Sequence, residues 1–342
     1  MTGTGGEPPD DIERLIQEVL AELGYSGDAA VVARKVKRLN LGLPAEDEFS
    51  VICAWLGRCR LVHKLDQAQA PLSSRDTFQV PDLLAAFDTG GPVLIEVKSK
   101  KSPTLSLRPD YLGRLQAYAD LVGRPLLIAW KFHSIWTLFD ARHLQLARTS
   151  FNISHERAMK ENLLGLLAGD VAYVLRPGAG VHFDLAKEEL IGVEGDAANF
   201  TETWKMRVSE VFFTDGDGAR RSDLHGETQQ LLATWNLETV EDHSPTSIRN
   251  SFIVGDGGVQ FAHVALVHLL TWEGGRTGPP PWRQLLQAPK ITRTIDDFGR
   301  ALDRALGEKV VRYVFHQQPQ TTPDFILSKD EAAAPGGAAA TA

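Results

Sequence analysis

The feature that most constrains this chain is a pair of short apolar stretches joined by a tight turn, within residues 80–99. Val80 to Phe87 and Pro92 to Ser99 both have strand composition, and Asp88-Thr89-Gly90-Gly91 between them has the residues of a hairpin turn. The second arm holds Val93-Leu94-Ile95, a run that suits a strand buried on both faces. It then continues as Glu96-Val97-Lys98. Strand residues two apart face the same side, with Cα atoms roughly 6.5–7 Å apart. Glu96 and Lys98 therefore share a face, Val97 packs opposite, and the hairpin folds Pro81-Asp82 back beside them. Burying two carboxylates and an ammonium at one edge of a sheet costs on the order of several kcal/mol unless something compensates. A divalent cation would compensate, because carboxylate oxygens suit Mg²⁺. The lysine could then hold an attacking water and offset charge on a phosphate.

The elements around this hairpin follow from periodicity and punctuation. Pro44 suits a helix start, and 45–56 reads as a helix closed by Gly57. Strands are expected at 59–65, 126–130 and 135–139, a polar loop at 67–76, and a helix over 111–122 closed by Gly123. The order is helix, three strands, helix, strand. Two earlier helices are expected, at 10–23 and 28–39. The second half gives weaker patterns: helices at 155–168, 226–235, 260–271 and 296–306, strands at 171–175, 207–213 and 309–315. Residues 276–282, with three prolines, read as a loop, and the tail after Asp330 as low-complexity and disordered.

Pro81-Asp82 followed by Glu96-Val97-Lys98, in that element order, resembles the PD-(D/E)xK nuclease superfamily. The stretch is similar in particular to archaeal-type Holliday-junction resolvases and related restriction nucleases. The resemblance spans about 45–140. It implies an α/β restriction-endonuclease-like core, a mixed sheet flanked by helices, and Mg²⁺- or Mn²⁺-dependent hydrolysis of DNA phosphodiesters that leaves a 5′-phosphate. Glu48 falls where many members carry a further acid on the helix before the first strand, with Glu46 a poorer match. Gln116 matches a glutamine often found on the helix after the lysine strand. The implied metal ligands are Glu48, Asp82 and Glu96, and the implied catalytic set is Asp82, Glu96 and Lys98.

The implied layout is an N-terminal helical segment at 1–43, the nuclease domain at 44–150, a second α+β domain at 151–330, and the tail at 331–342. The second domain could mediate a homo-oligomer or hold a partner protein. Restriction or phage defence would fit, as would repair or recombination. The alternative is a catalytically silent nucleic-acid-binding, sensor or assembly subunit with the same fold.

Net charge is −8, which weighs against nucleic acid until its distribution is considered. Residues 1–150 balance 18 Lys/Arg against 18 Asp/Glu, and 29–131 carries 15 basic residues against 10 acidic. The local field decides phosphate binding more than the total does. Candidate contacts to DNA, with RNA left open, are Arg34, Lys35, Lys37 and Arg38 on the second helix, and Lys100, Lys101 and Arg108 beyond the lysine strand.

The remaining candidates carry less. Cys53 and Cys59 lack the partners of a zinc site and read as small reduced core residues. Asp215-Gly216-Asp217-Gly218 lacks the acidic twelfth position of a calcium loop and reads as a turn. His263 and His268 are badly spaced for joint ligation. Gly255-Asp256-Gly257-Gly258 is not followed by the Lys-Ser/Thr of a phosphate loop. Trp235, Trp272 and Trp282 could stack on bases, but read first as core residues. No apolar run is long enough to span a membrane, and the N-terminus has no secretory pattern, so a cytoplasmic location is expected.

Overall fold

The computed structural model describes residues 44–65, 71–195, 200–274 and 280–327. The expected helices at 10–23 and 28–39, the cluster Arg34, Lys35, Lys37 and Arg38, and the tail lie outside the described residues. Helix α1 runs through 44–55, and Gly57 beyond it has φ +88°, the left-handed turn that closes a helix. There follow β1 (Cys59–Lys64), β2 (Leu83–Phe87), β3 (Val93–Ser99), β4 (Thr104–Leu107), α2 (Pro109–Val122), β5 (Leu126–Phe132) and β6 (Ile135–Asp140).

Five of these strands make one sheet, in the order β1-β2-β3-β5-β6. Neighbours are antiparallel except β3 and β5, which are parallel. A parallel pair needs a crossover, and α2 lies within it. Its Leu112, Leu115 and Ala119 recur at helical spacing and are buried, packing with Leu94, Leu105, Ile128 and Trp130. The other sheet face receives Phe49, Ile52 and Cys53 of α1, against Ile95, Val97 and Ala129. β3 and β5 are thus covered on both sides, which explains their unbroken apolar runs. The expected strand from Val80 begins only at Leu83, because the ladder forks there, as described below.

The chain continues through β7 (Gln145–Ala147), β8 (Ser150–Ser154), α3 (His155–Lys160), α4 (Leu164–Ala168), β9 (Val171–Leu175), β10 (Gly180–Gly195), β11 (Phe200–Thr214), β12 (Arg220–Arg221), α5 (Gly226–Leu232), β13 (Glu238–His243), β14 (Ser247–Ile253), β15 (Gln260–Phe261), α6 (Ala262–Gly274), α7 (Trp282–Leu285), α8 (Phe298–Gly307), β16 (Val311–His316) and α9 (Asp324–Leu327). One continuous helix at 155–168 does not form. Asn162 interrupts it: its side-chain oxygen accepts from the backbone N–H of Leu138 (2.9 Å) and of Leu164 (3.1 Å), starting a new helix. The strand expected at 207–213 is part of a long hairpin, β10–β11, which joins β12, β13 and β14 in a five-stranded antiparallel sheet. The Asp215–Gly218 stretch is a turn, with Asp215 Oδ1 accepting from the N–H groups of Asp217 and Ala219. Trp282 is buried, but Trp272 is 61% exposed and not a core residue.

The second half seals the β6 edge of the first sheet. On edge strand β6, the Trp136 N–H donates to His263 Nε2 (3.1 Å) and the Leu138 N–H to Asn162. The Leu138 carbonyl accepts from the Leu163 N–H. His263 is 1% exposed, and its Nδ1 sits 2.8 Å from Asp170 Oδ2. Since Nε2 accepts from the Trp136 N–H, Nδ1 is the nitrogen that donates to the carboxylate. A single buried cluster runs from α1 and the first sheet through α4, β9, α6 and α8, crossing residue 150.

Candidate active site

The site grows from a fork in the first sheet. β2 pairs with β3 through Ala85–Val93, Leu84–Leu94 and Leu83–Ile95, and the pairing stops there. The chain before Leu83 stays with β1, since the Leu65 N–H donates to the Asp82 carbonyl at 2.9 Å. β3 instead follows its parallel partner β5. The Val97 N–H is therefore left without a strand partner on the β2 side, and Asp82 Oδ2 takes it at 2.8 Å. A side chain replaces a backbone carbonyl, and the carboxyl is anchored at the point where the strands part.

Alternation on β3 turns Glu96 toward α2. It is 0% exposed. Its Oε1 accepts from both the Lys98 ammonium and the Tyr111 hydroxyl in the first turn of α2. Lys98 Nζ also donates to the Tyr111 oxygen at 3.2 Å and lies 5.1 Å from the ring centroid. Glu96 Oε2 is buried and has no hydrogen-bond partner among the described residues. An orphaned carboxylate oxygen in such a setting is costly and marks a place for a cation or a water.

The electrostatics agree. Burial, and then the charge of Glu96, push the Asp82 carboxyl up to about 8, against the pull of Lys98 and the Val97 N–H. Burial works against the Lys98 ammonium, yet Glu96, Tyr111 and Asp82 together hold its pKa above the ordinary lysine range. Burial and Glu96 raise the Tyr111 phenol, so it remains a donor. Two acids close together in one buried site disfavour a second negative charge, and Asp82 is the one whose pKa is raised.

Among the described residues no group of three or more His, Cys, Asp or Glu side chains is placed to hold a metal ion. Asp82 and Glu96 suit Mg²⁺ all the same, since that ion keeps much of its water shell and binds through one or two carboxylates plus substrate phosphate.

The other predicted residues fall elsewhere. Both oxygens of Glu48 are 2.6 Å from Lys131 Nζ, and Oε1 accepts from Trp136 Nε1 at 2.9 Å, so its hydrogen bonds lead to β5 and β6. Glu46 pairs with Lys64 at 3.1 Å, and its charge reaches Asp82. Gln116 donates to Asp120, one turn along α2. Lys100, Lys101 and Arg108 are exposed beyond β3, Arg108 beside Asp110 at 3.7 Å. The sequence reading missed Tyr111. The signal available was an aromatic in the first turn of the helix that follows the lysine strand, ahead of buried Leu112 and Leu115.

A mixed sheet in this order, with helices on both faces, is a restriction-endonuclease-like core. More narrowly, residues 68–169 match the family described as archaeal Holliday junction resolvase (hjc). The match covers less than half of the chain and ends before β9. Among solved structures, the chain is similar to Archaeoglobus fulgidus Hjc, a Holliday junction resolvase from an archaeal hyperthermophile. Identity is 23%, over 34% of this chain and 89% of that one, with a TM-score of 0.29. No curated protein matches the chain. No helix among the described residues is long and apolar enough to cross a membrane.

Proposed function

We propose that the protein is a divalent-metal-dependent nuclease that hydrolyses phosphodiester bonds in DNA, with branched DNA as a substrate class. The observation that carries this reading is the buried, unpartnered Oε2 of Glu96 beside a carboxyl that burial has driven toward neutrality. Asp82 and Glu96 would hold Mg²⁺ or Mn²⁺, which when bound would polarise the phosphate and acidify a water. Glu48 would join them only by giving up Lys131.

Lys98 is pinned by Glu96 and Tyr111, so its ammonium is oriented before substrate arrives. From there it can hold the attacking water through its lone pair and offset charge developing on the phosphate. Lys100, Lys101 and Arg108 would track the backbone of the bound strand, joined by Arg34, Lys35, Lys37 and Arg38. The helical segment at 1–43, the nuclease domain at 44–150 and the α+β region at 151–330 remain the proposed division, the last holding a second copy or a partner protein. A cytoplasmic role in defence or in repair and recombination accords with this chemistry.

The test is to incubate full-length protein with Mg²⁺ or Mn²⁺ and linear, circular and branched DNA, with RNA alongside. Cleavage of DNA that stops in chelator is expected, and none on any substrate would overturn the reading. One observation favours a second reading, a silent binding or assembly subunit: Asp82 already has a structural partner in Val97. Calorimetric titration with Mn²⁺ separates the two, since a silent fold has no need to bind the ion.

A further inference from the structure

Beyond Lys98 the same sheet face carries a row of rings that the chemistry above does not use. Lys98 pairs directly with Trp130 on β5. The next residue on that face is Phe132, whose ring centroid lies 6.0 Å from that of Trp130. His155, at the start of α3, packs against both, 5.5 Å from Trp130 and 4.6 Å from Phe132. His133 stands edge-on to Phe132 at 4.5 Å. Trp130 is wholly buried and forms the floor, Phe132 and His155 are half-buried, and His133 is exposed.

Two details shape this surface. His133 is the first residue of the two-residue turn between β5 and β6 and takes the φ of +54° that such hairpin turns require, with its ring edge-on to Phe132. Burial, and then the neighbouring His133, hold the His155 pKa below the ordinary histidine value, so its ring is neutral at physiological pH. A neutral flat ring stacks without the desolvation cost of a charged one. Across the strand, Lys100 donates its backbone N–H to the carbonyl of Lys131, the residue before Phe132, and Lys100 and Lys101 are exposed.

We infer that Phe132, His133 and His155 form a stacking platform for an unpaired nucleobase one step along the strand from the phosphodiester at Lys98, with Lys100 and Lys101 on its backbone. Aromatic faces beside lysines are the means by which proteins hold single-stranded nucleotides without reading their sequence. In a continuous duplex each base is already stacked and has no face to offer. The platform therefore selects DNA with an unpaired nucleotide at a branch, flap or gap. This rests on the nuclease reading and narrows its substrate.

The test uses full-length protein in chelator and two DNAs of one sequence, a continuous duplex and a flap. The flap carries fluorescent 2-aminopurine in turn at the three unpaired positions nearest the branch. Binding should quench the probe at one position. His133→Gly keeps the left-handed backbone while removing the ring, and Phe132→Leu keeps the apolar volume. Their combination should abolish quenching and weaken flap binding about tenfold, with duplex binding changed less than twofold. Equal unfolding temperatures show that the variant is folded. Flap preference that survives in the double variant, or equal loss on both DNAs, would sink the platform. Parallel assays with Mg²⁺ and wild-type protein keep the two ideas apart. Quenching without cleavage would remove the nuclease reading and spare the platform. Cleavage without quenching would do the reverse.

Discussion

The five-stranded sheet that carries Glu96 and the five-stranded sheet built on β10–β11 are equal in strand number and opposite in construction. In the first, β3 and β5 each open with five consecutive buried residues, and the buried charge of Glu96 is answered by Lys98 and Tyr111. In the second, β10 is half-buried at its start and mostly exposed beyond Lys187, and its charges pair on the surface, as Arg207 does with Glu188 and Arg249 with Asp184. The contrast separates charge that the fold must answer for from charge that water answers for. Surface pairs are worth about 0–1 kcal/mol, whereas removing one partner of a buried set can cost several times as much.

The largest expected difference between the two sheets is in cleavage. Glu96→Ala or Asp82→Ala should lower the rate by about 10³-fold or more, while Asp184→Ala leaves it within about twofold, on the scale of a transition-state electrostatic contact against a surface pair. Comparable losses from the two sheets, measured on one branched substrate, would erase the distinction. Lys98→Ala should cost about 10²–10³-fold in rate while Mn²⁺ still binds by calorimetry, because lysine is no ligand. Lys98→Arg should not restore the rate, since a planar guanidinium does not reproduce a point charge. Loss of Mn²⁺ binding in Lys98→Ala would instead give the lysine a structural part.

A smaller effect is thermodynamic. The folded-state pKa of Asp82 is raised from 3.8 to about 8. An acid of this kind binds its proton more tightly in the folded chain, so its favourable contribution is complete below about pH 4 and is lost as pH rises toward 8. In metal-free protein the unfolding temperature should fall across that window, by the equivalent of about 1–2 kcal/mol once partial solvent access is discounted. Asp82→Asn should flatten the decline, and an unchanged slope in that variant would assign the pH dependence elsewhere. Smaller again, Tyr111→Phe should cost about 1 kcal/mol and slow cleavage a few-fold by loosening Lys98. At the bottom of the scale, Arg207→Ala on the β10–β11 hairpin should shift stability by about 0.5 kcal/mol or less. A cooperative collapse there would show that the ribbon answers for its charges after all.

The same contrast explains what the sequence could reveal. Val93-Leu94-Ile95 and Leu126 to Trp130 announce strands because both of their faces are covered, and Gly57 and Gly123 close α1 and α2 where expected. Asp82, Glu96 and Lys98 come together because a tight hairpin leaves little choice of register. β10–β11 was largely invisible, because bulges between Asp184 and Leu185, Lys187 and Glu189, and Leu190 and Gly192 break the period-two alternation. Glu48 illustrates another limit. Its partner Lys131 lies 83 residues away, and no local pattern encodes such a meeting. Tyr111 was hidden for a similar reason: its phenol reaches Glu96 only through the way α2 docks across the sheet.

The sealing of β6 has a consequence for anyone who would work with the first half alone. Strand edges recruit other strands, and here the outward donors of Trp136 and Leu138 are spoken for by His263 and Asn162. A chain cut at residue 150 would present those donors bare, along with the apolar surface left by α4, α6 and α8. Any dimers, fibres or insolubility seen in such a fragment would be a wound response, telling of the cut rather than of how intact copies meet. With His263 and Asn162 in place, the sheet offers no bare donor at Trp136 or Leu138 for a further strand.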